Sequence, residues 1–298
     1  MIKLSIIIPV YNSENSIELL VSRIQHEFVH DSHEIILIND CSGDNSAEIC
    51  KRVSMGNNQI KFISLRKNFG EFNAVMCGLN YSKGLFSVII DDDFQNPPSE
   101  IRKLVECAEL DNYDVVYSHY NTKKHSLFRN VGSTCINYLN SFLLNKPSDL
   151  YLSSFKLIRK EVVEEIIKYK GPYPYIDGLI FRTTNSFGKV LVEHAGREHG
   201  QSNYTFRKLF SLSMSIIFGY SLIPIRLTFI MGGISVFLSF LFFLTLLLGI
   251  SHSMIIPILL FSMGFVFCNV ALLGEYMGKN YMTLNGTPQY IIKEKIIH

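Results

Sequence analysis

From Leu227 to Gly274 the chain carries no Asp, Glu, Lys or Arg, and no other feature restricts its fold as much. In hydrocarbon every backbone N–H and C=O needs a partner within its own segment, so such a stretch crosses a membrane as helix. About 20 residues span the apolar core of a bilayer. Two spans are therefore predicted, about 227–250 and 255–276. The connector, Ser251-His252-Ser253-Met254, is long enough only for a tight hairpin and holds no Lys or Arg. Arg207, Lys208 and Arg226 precede the first span, and Lys279, Lys293 and Lys295 follow the second. The positive-inside rule then puts both termini in the cytoplasm. The alternative is a buried hairpin of a soluble protein. Gly274 and Gly278 have GxxxG spacing, which supports helix contact, and a homo-oligomer stays open. Thr205–Tyr220 mixes Arg207 and Lys208 with serines and large apolar residues, the pattern of a helix lying at the bilayer surface. The expected organisation is a domain over 1–203, a juxtamembrane helix over 204–223, two spans within 224–278 and a cytoplasmic tail over 279–298.

The first 120 residues alternate strand and helix. Leu4–Val10, Glu34–Ile38, Lys61–Leu65, Val88–Ile90 and Asp114–Ser118 read as strands. Helices are predicted from Ser13 or Asn15 to about Glu27, from Asn45 or Ser46 to about Val53, over Glu71–Tyr81 and over Ser99–Leu110. Strands separated by helices argue for right-handed βαβ units and a mostly parallel α/β sheet, with the loops after successive strands gathered at one edge. The six cysteines are scattered, with no C-x-x-C pair, which fits free thiols in a reducing compartment. The formal net charge of +2 leaves no electrostatic case for a nucleic-acid partner, and none is expected.

Val88-Ile89-Ile90 has no polar alternation and ends in Asp91-Asp92-Asp93-Phe94-Gln95, with Pro97-Pro98 beyond. Three adjacent carboxylates repel one another unless a cation holds them. An extended chain after the strand would put Asp91, Asp93 and Gln95 on one face and Asp92 on the other. Asp91, Asp93 and Gln95 then supply hard oxygen ligands for Mg²⁺ or Mn²⁺ carrying a diphosphate. An acidic surface turn is the alternative. No G-x-G-x-x-G and no G-x-x-x-x-G-K-[ST] occurs, so neither a dinucleotide site nor a P-loop is supported.

Four ordered segments carry a resemblance: Ile7-Ile8-Pro9-Val10-Tyr11-Asn12-Ser13-Glu14, Asn39-Asp40-Cys41-Ser42, Asn68-Phe69-Gly70 and Asp91-Asp92-Asp93-Phe94-Gln95. They resemble the motifs of family 2 glycosyltransferases. The nearer likeness is to the branch that charges a polyprenyl phosphate, represented by dolichyl-phosphate mannosyltransferases and bactoprenol glucosyl transferases. The resemblance implies a GT-A fold, a Rossmann-like mostly parallel sheet with one nucleotide-sugar site. It implies that Pro9, Tyr11, Glu14, Asp40, Asn68, Gly70, Asp91 and Asp92 line that site, and that Asp93 is catalytic. The family usually has an acidic residue where Asn39 stands and Gly where Cys41 stands.

Residues 119–129 form a basic stretch leading into a predicted helix, Asn130–Leu144. Cations at a helix start oppose its dipole, so an anionic partner or plain solvation accounts for them. By the resemblance, Lys123, Lys124 and Arg129 grip a lipid phosphate, with Arg129 also catalytic. The relatives often carry Gly-Asp-Phe-Arg-Leu where this chain has Ser153-Ser154-Phe155-Lys156-Leu157, and Asp149 is the neighbouring carboxylate that would substitute. A phosphate monoester has its second pKa near ~6, so such an acceptor arrives ionised and needs no strong base. Lys170–Gly178 reads as a loop folding over the site, with Asp177 as a further site carboxylate. Val190–His194 reads as a strand. Arg197, in an Arg-x-x-Gly-x-Ser-x-Tyr segment, offers its fork to a phosphate or pairs with Glu193 or Glu198. The expected protein is an inverting, metal-dependent glycosyltransferase of the bacterial inner membrane. It would move a sugar from a nucleotide-diphosphate sugar to undecaprenyl phosphate on the cytoplasmic face. The alternatives are transfer to a hydroxyl of a lipid-linked saccharide, and nucleotide-sugar binding without turnover.

Overall fold

Runs of apolar residues become strands because both faces of the sheet they build are covered. The computed structural model describes residues 2–120, 150–193, 223–247 and 255–298. The expected helices over 130–144 and 205–220 lie outside these residues, as do Lys123, Lys124, Arg129, Asp149 and Arg197. The chain divides into two compact units, 1–203 with 286–298, and 204–285.

In the first unit β1 (Leu4–Val10), β2 (His33–Asn39), β3 (Ile60–Leu65) and β4 (Phe86–Ile89) alternate with α1 (Ile17–Glu27), α2 (Ser46–Met55) and α3 (Glu71–Tyr81). Next come α4 (Glu100–Leu110), β5 (Val115–His119), β6 (Lys156–Arg159), α5 (Lys160–Ile166), α6 (Ile176–Thr183) and β7 (Phe187–Leu191). After α7 (Ile223–Leu247) and α8 (Ile255–Leu284) of the second unit, the chain returns as β8 (Ile292–Ile296). The sheet order is β7-β5-β6-β4-β1-β2-β3-β8. β1 pairs in parallel with both β2 and β4. β6 and β8 run antiparallel to their neighbours.

One face carries Ile6, Ile8, Ile35 and Leu37 against Leu20 and Ile24 of α1 and Ile101 and Leu104 of α4. On the other face α3 comes so near the sheet that a Cβ on Gly78 would sit 2.4 Å from Ile7 Cγ2 and 2.8 Å from Ile38 Cδ1. Only glycine allows that approach. Pro9 stands inside β1, where a missing N–H normally costs a ladder bond. The last β1–β4 pair is Ile7↔Ile89, and Ile90 N–H still donates to Ile7 C=O. Odd positions of β1 therefore face β4, and at Pro9 that neighbour has already ended.

Several expectations are corrected. β4 ends at Ile89 and the chain turns at Asp92-Asp93 rather than staying extended, with Phe94 at φ 60°. Gln95 therefore does not share a strand face with Asp91 and Asp93. The loop expected over 170–178 gives way to α6 at Ile176. β7 starts at Phe187, ahead of the predicted Val190, where Gly188 admits the Tyr113 ring. Residues after 279 are not a tail: α8 runs to Leu284, and Ile292–Ile296 pairs with β3.

In the second unit α8 contains Phe261–Leu284, long and apolar enough to cross a membrane, and α7 contains the shorter apolar stretch Thr228–Leu238. Phe229, Val236, Phe261 and Met277 are exposed, far more apolar surface than water tolerates without a covering. A Cβ on Gly232 of α7 would lie 3.7 Å from the Phe265 ring of α8.

Candidate active site

The strand order reverses between β1 and β4, and the crevice beyond the carboxyl ends of two such strands is where open α/β sheets bind ligands. The turn after β4 is tied to the loop after β1 at this point. Asp92 Oδ2 accepts the Tyr11 N–H at 3.3 Å and the Ser13 hydroxyl. Burial pushes the Asp92 carboxyl up to about 6; the Ser13 and Tyr11 donors oppose that, and the charges of Asp91 and Asp93 reinforce it. Asp93 Oδ1 accepts the Gln95 N–H at 3.1 Å, which fixes the turn.

The loops after β1 and β2 are laced together. Ser42 Oγ accepts the Asn12 N–H at 3.0 Å, and Asn12 Oδ1 accepts the Gly43 N–H at 2.8 Å. Ser46 Oγ accepts the Ser13 N–H at 2.7 Å. Glu14 Oε2 accepts the Asn45 N–H at 2.9 Å. Asp44 takes the Glu14 N–H and the N–H and hydroxyl of Ser46. Burial works against its charge, yet these donors prevail and hold it below the usual range. Asn12 and Cys41 both have φ near +57°, a left-handed backbone that costs a non-glycine residue about 1–3 kcal/mol and clusters at functional sites.

Asp40, after β2, receives the N–H groups of Phe69 and Gly70 on its two oxygens, at 2.7 and 2.8 Å. Its carboxylate thus holds the loop after β3, where Gly70 at φ 90° precedes α3. Burial pushes its pKa up against the pull of these two donors.

β6 delivers the last wall. Its first residue, Lys156, lies opposite Ile89, the last residue of β4. The preceding Ser154 donates its hydroxyl to Asp91 Oδ2 at 2.6 Å. Beside it, the Tyr120 hydroxyl donates to Asn96 Oδ1 at 2.8 Å and lies 3.2 Å from Ser153 Oγ. Asp177, expected as a site carboxylate, is buried and committed: it pairs with Lys156 and accepts the Tyr117 hydroxyl at 2.9 Å.

The structure thus brings Pro9, Tyr11, Glu14, Asp40, Gly70, Asp91, Asp92 and Asp93 to one sheet edge. Tyr11 is exposed there and Asn68 is exposed in the loop after β3. Asn12, Asp44 and Asn45 and the serines Ser13, Ser42, Ser46 and Ser154 are participants that sequence reasoning missed; for the serines, a small hydroxyl residue within or beside each motif is the signal. Among the described residues no three His, Cys, Asp or Glu are grouped to hold a metal ion. Mg²⁺ usually takes one or two carboxylates and completes its shell with water and substrate phosphates. Asp91 and Asp93, half-buried in one turn, fit a cation that arrives with a diphosphate rather than one caged by protein.

The family described as glycosyl transferase family 2 matches residues 5–167. An undecaprenyl-phosphate 4-deoxy-4-formamido-L-arabinose transferase of Photorhabdus laumondii is 32% identical, over 99% of this chain and 94% of that protein. The transferase of the same name from Proteus mirabilis is 30% identical over the same shares. Among solved structures, glucosyl-3-phosphoglycerate synthase from Mycobacterium tuberculosis, in complex with Mn²⁺, UDP and phosphoglyceric acid, superposes with a TM-score of 0.55 at 18% identity. It covers 72% of this chain and 76% of that one. The same enzyme with Mg²⁺ and UDP gives 0.53 at 19% identity, over 72% and 77%. At these identities the likeness is one of fold.

Proposed function

The chain belongs to glycosyl transferase family 2 with a GT-A-like first unit, and we propose that it moves a sugar from a nucleotide-diphosphate donor to undecaprenyl phosphate at a membrane surface. What carries this reading is that the likeness to undecaprenyl-phosphate transferases extends over 99% of the chain, the apolar helices included.

Each part of the site has a task in that reaction. Tyr11 and the loops after β1, β2 and β3 receive the nucleotide, with Asp40 and Asp92 acting as struts between the loops. Asp91 and Asp93 offer oxygens to a divalent cation, Mg²⁺ or Mn²⁺, which when bound neutralises charge developing on the departing diphosphate. A phosphate oxygen of the lipid attacks the anomeric carbon, the bond to the nucleoside diphosphate breaks, and its electron pair leaves with that group. Configuration at the carbon inverts. No residue of Ser153-Ser154-Phe155 can act as a carboxylate base, and a phosphate acceptor with second pKa near ~6 requires none. Positioning supplies the acceleration instead. Lys123, Lys124, Arg129 and Arg197 are assigned to the lipid phosphate, and Asp149 to its vicinity.

Segment 204–285 leaves the first unit and rejoins it, so with that unit on one side the chain crosses the membrane an even number of times. Arg207, Lys208 and Arg226 before α7, and Lys279 near the end of α8, place that side in the cytoplasm. The protein is then a multi-pass protein of the bacterial inner membrane. The test is release of nucleoside diphosphate by full-length protein in detergent, across a panel of sugar nucleotides. Release should depend on undecaprenyl phosphate, stop with chelator and return with Mg²⁺ or Mn²⁺. Release that is indifferent to the lipid would refute the acceptor assignment.

A further inference from the structure

Within the proposed reading, Asp91 is a cation ligand, and what holds that carboxylate in place has a visible answer. Asp91 opens a run of three acids, and an unrestrained carboxylate beside two like charges turns away from them. The Ser154 hydroxyl meets it from across the sheet edge, 2.6 Å from Asp91 Oδ2.

The frame that presents this hydroxyl is fixed on both sides. Upstream, Ser153 is buried, with its Oγ 2.8 Å from the Ser118 hydroxyl and 3.2 Å from the Tyr120 hydroxyl. Downstream, Phe155 is fully buried, and its C=O accepts both the Ser118 N–H at 3.2 Å and the Ser118 hydroxyl at 2.8 Å. One residue further, the Lys156 ammonium is buried against Asp177 and lies 5.1 Å from the Tyr117 ring centroid. Ser154 is the one polar side chain of this clamped run that reaches the acidic turn. Its backbone is already held between the buried Ser153 and Phe155, so the hydrogen bond to Asp91 costs little further ordering.

We propose that Ser154 is a positioning residue for the cation: its hydroxyl orients Asp91 so that the carboxylate meets the metal without rearranging. Partners of this kind around a metal ligand are typically worth about 10-fold or more in metal affinity. The hydroxyl suits the place because it is neutral. A carboxylate here would stand against Asp91 and add a fourth negative charge to the turn. The chain's departure from the carboxylate that relatives often carry is, on this account, a change of task. Position 154 orients a ligand and leaves the ionised acceptor to do its own attack.

The inference rests on the metal reading of Asp91, and the experiment separates the two. Full-length protein in detergent is titrated with Mn²⁺, alone and with UDP present, free Mn²⁺ being read by electron paramagnetic resonance, with melting temperature in chelator as the control. Ser154→Ala should bind Mn²⁺ about 10-fold more weakly than the native protein, and Ser154→Thr should restore the affinity, with melting in chelator unchanged for both. Should Ser154→Ala melt lower in chelator, Ser154→Thr against Ser154→Val makes the same comparison between side chains alike in shape. Native affinity in Ser154→Ala and Ser154→Val, together with loss of binding in Asp91→Asn, would overturn the role of Ser154 and leave the metal reading intact. A native protein that binds no Mn²⁺ even with UDP present would overturn both.

Discussion

Asp92 and Ser13, 79 residues apart in sequence, are joined by a hydrogen bond from the Ser13 hydroxyl to the Asp92 carboxylate. The bond ties the loop after β1 to the turn after β4, and the Tyr11 N–H, 3.3 Å from the same oxygen, reinforces it. The middle acid of the triplet is thus a strut, while Asp91 accepts the Ser154 hydroxyl and Asp93 the Gln95 N–H.

That strut has a pH signature. Burial raises the Asp92 pKa from 3.8 to about 6, so between these values the folded state binds more protons than the unfolded one. Stability therefore falls as pH rises through that window and stays lower above it. Asp92→Asn keeps an oxygen for Ser13 and Tyr11 and removes the buried charge. In chelator, the variant should melt above the native protein at pH 8 and converge with it near pH 4. Parallel melting curves across that range would contradict the assignment.

Asp40 accepts the Phe69 and Gly70 N–H groups, one on each oxygen. Asp40→Ala removes the acceptor of both half-buried N–H groups, at a net cost of about 0.5–1.5 kcal/mol for each. The expected outcome is a lower melting temperature, and a raised KM for the sugar nucleotide because the loop at Phe69-Gly70 loses its tether. A variant with native melting and native KM would show that the tether is idle.

The Lys156–Asp177 pair is buried on both sides. Removing one partner strands the other's charge, so Lys156→Met should cost about 3–5 kcal/mol. Combining Lys156→Met with Asp177→Leu and Tyr117→Phe, which removes every polar member, should recover most of that loss. Chemical denaturation of the single, double and triple variants measures it, and additive losses would count against the coupling.

Asp93→Asn should abolish transfer while leaving melting in chelator near native. The change removes a charge from the ligand set and keeps an oxygen for the Gln95 N–H. Native turnover with unchanged metal dependence would remove Asp93 from the site.

How much of this was legible in the sequence depends on how local the physics is. Leu4–Val10 and Val88-Ile89-Ile90 announce strands because a short apolar, β-branched run has both faces covered. Ile292–Ile296 reads Ile-Lys-Glu-Lys-Ile, with three charged residues in a row, and pairs at an edge with β3, a partner that no local pattern names. The acidic motif was legible, but its geometry was not. An alternating-face reading assumes extension, and Phe94 at φ 60° shows that the chain has turned. Asp177 looked like a site carboxylate until folding brought Lys156 and Tyr117 to it. Residue type named the candidate groups, while long-range packing decided which of them became struts.

The most direct test offers full-length protein in lipid nanodiscs two acceptors that differ by one group, undecaprenyl phosphate and undecaprenol, with mass spectrometry of the extracted lipid. The account predicts a sugar added to undecaprenyl phosphate alone. Glycosylated undecaprenol at a comparable rate, or no product from the phosphate with any active donor, would contradict it.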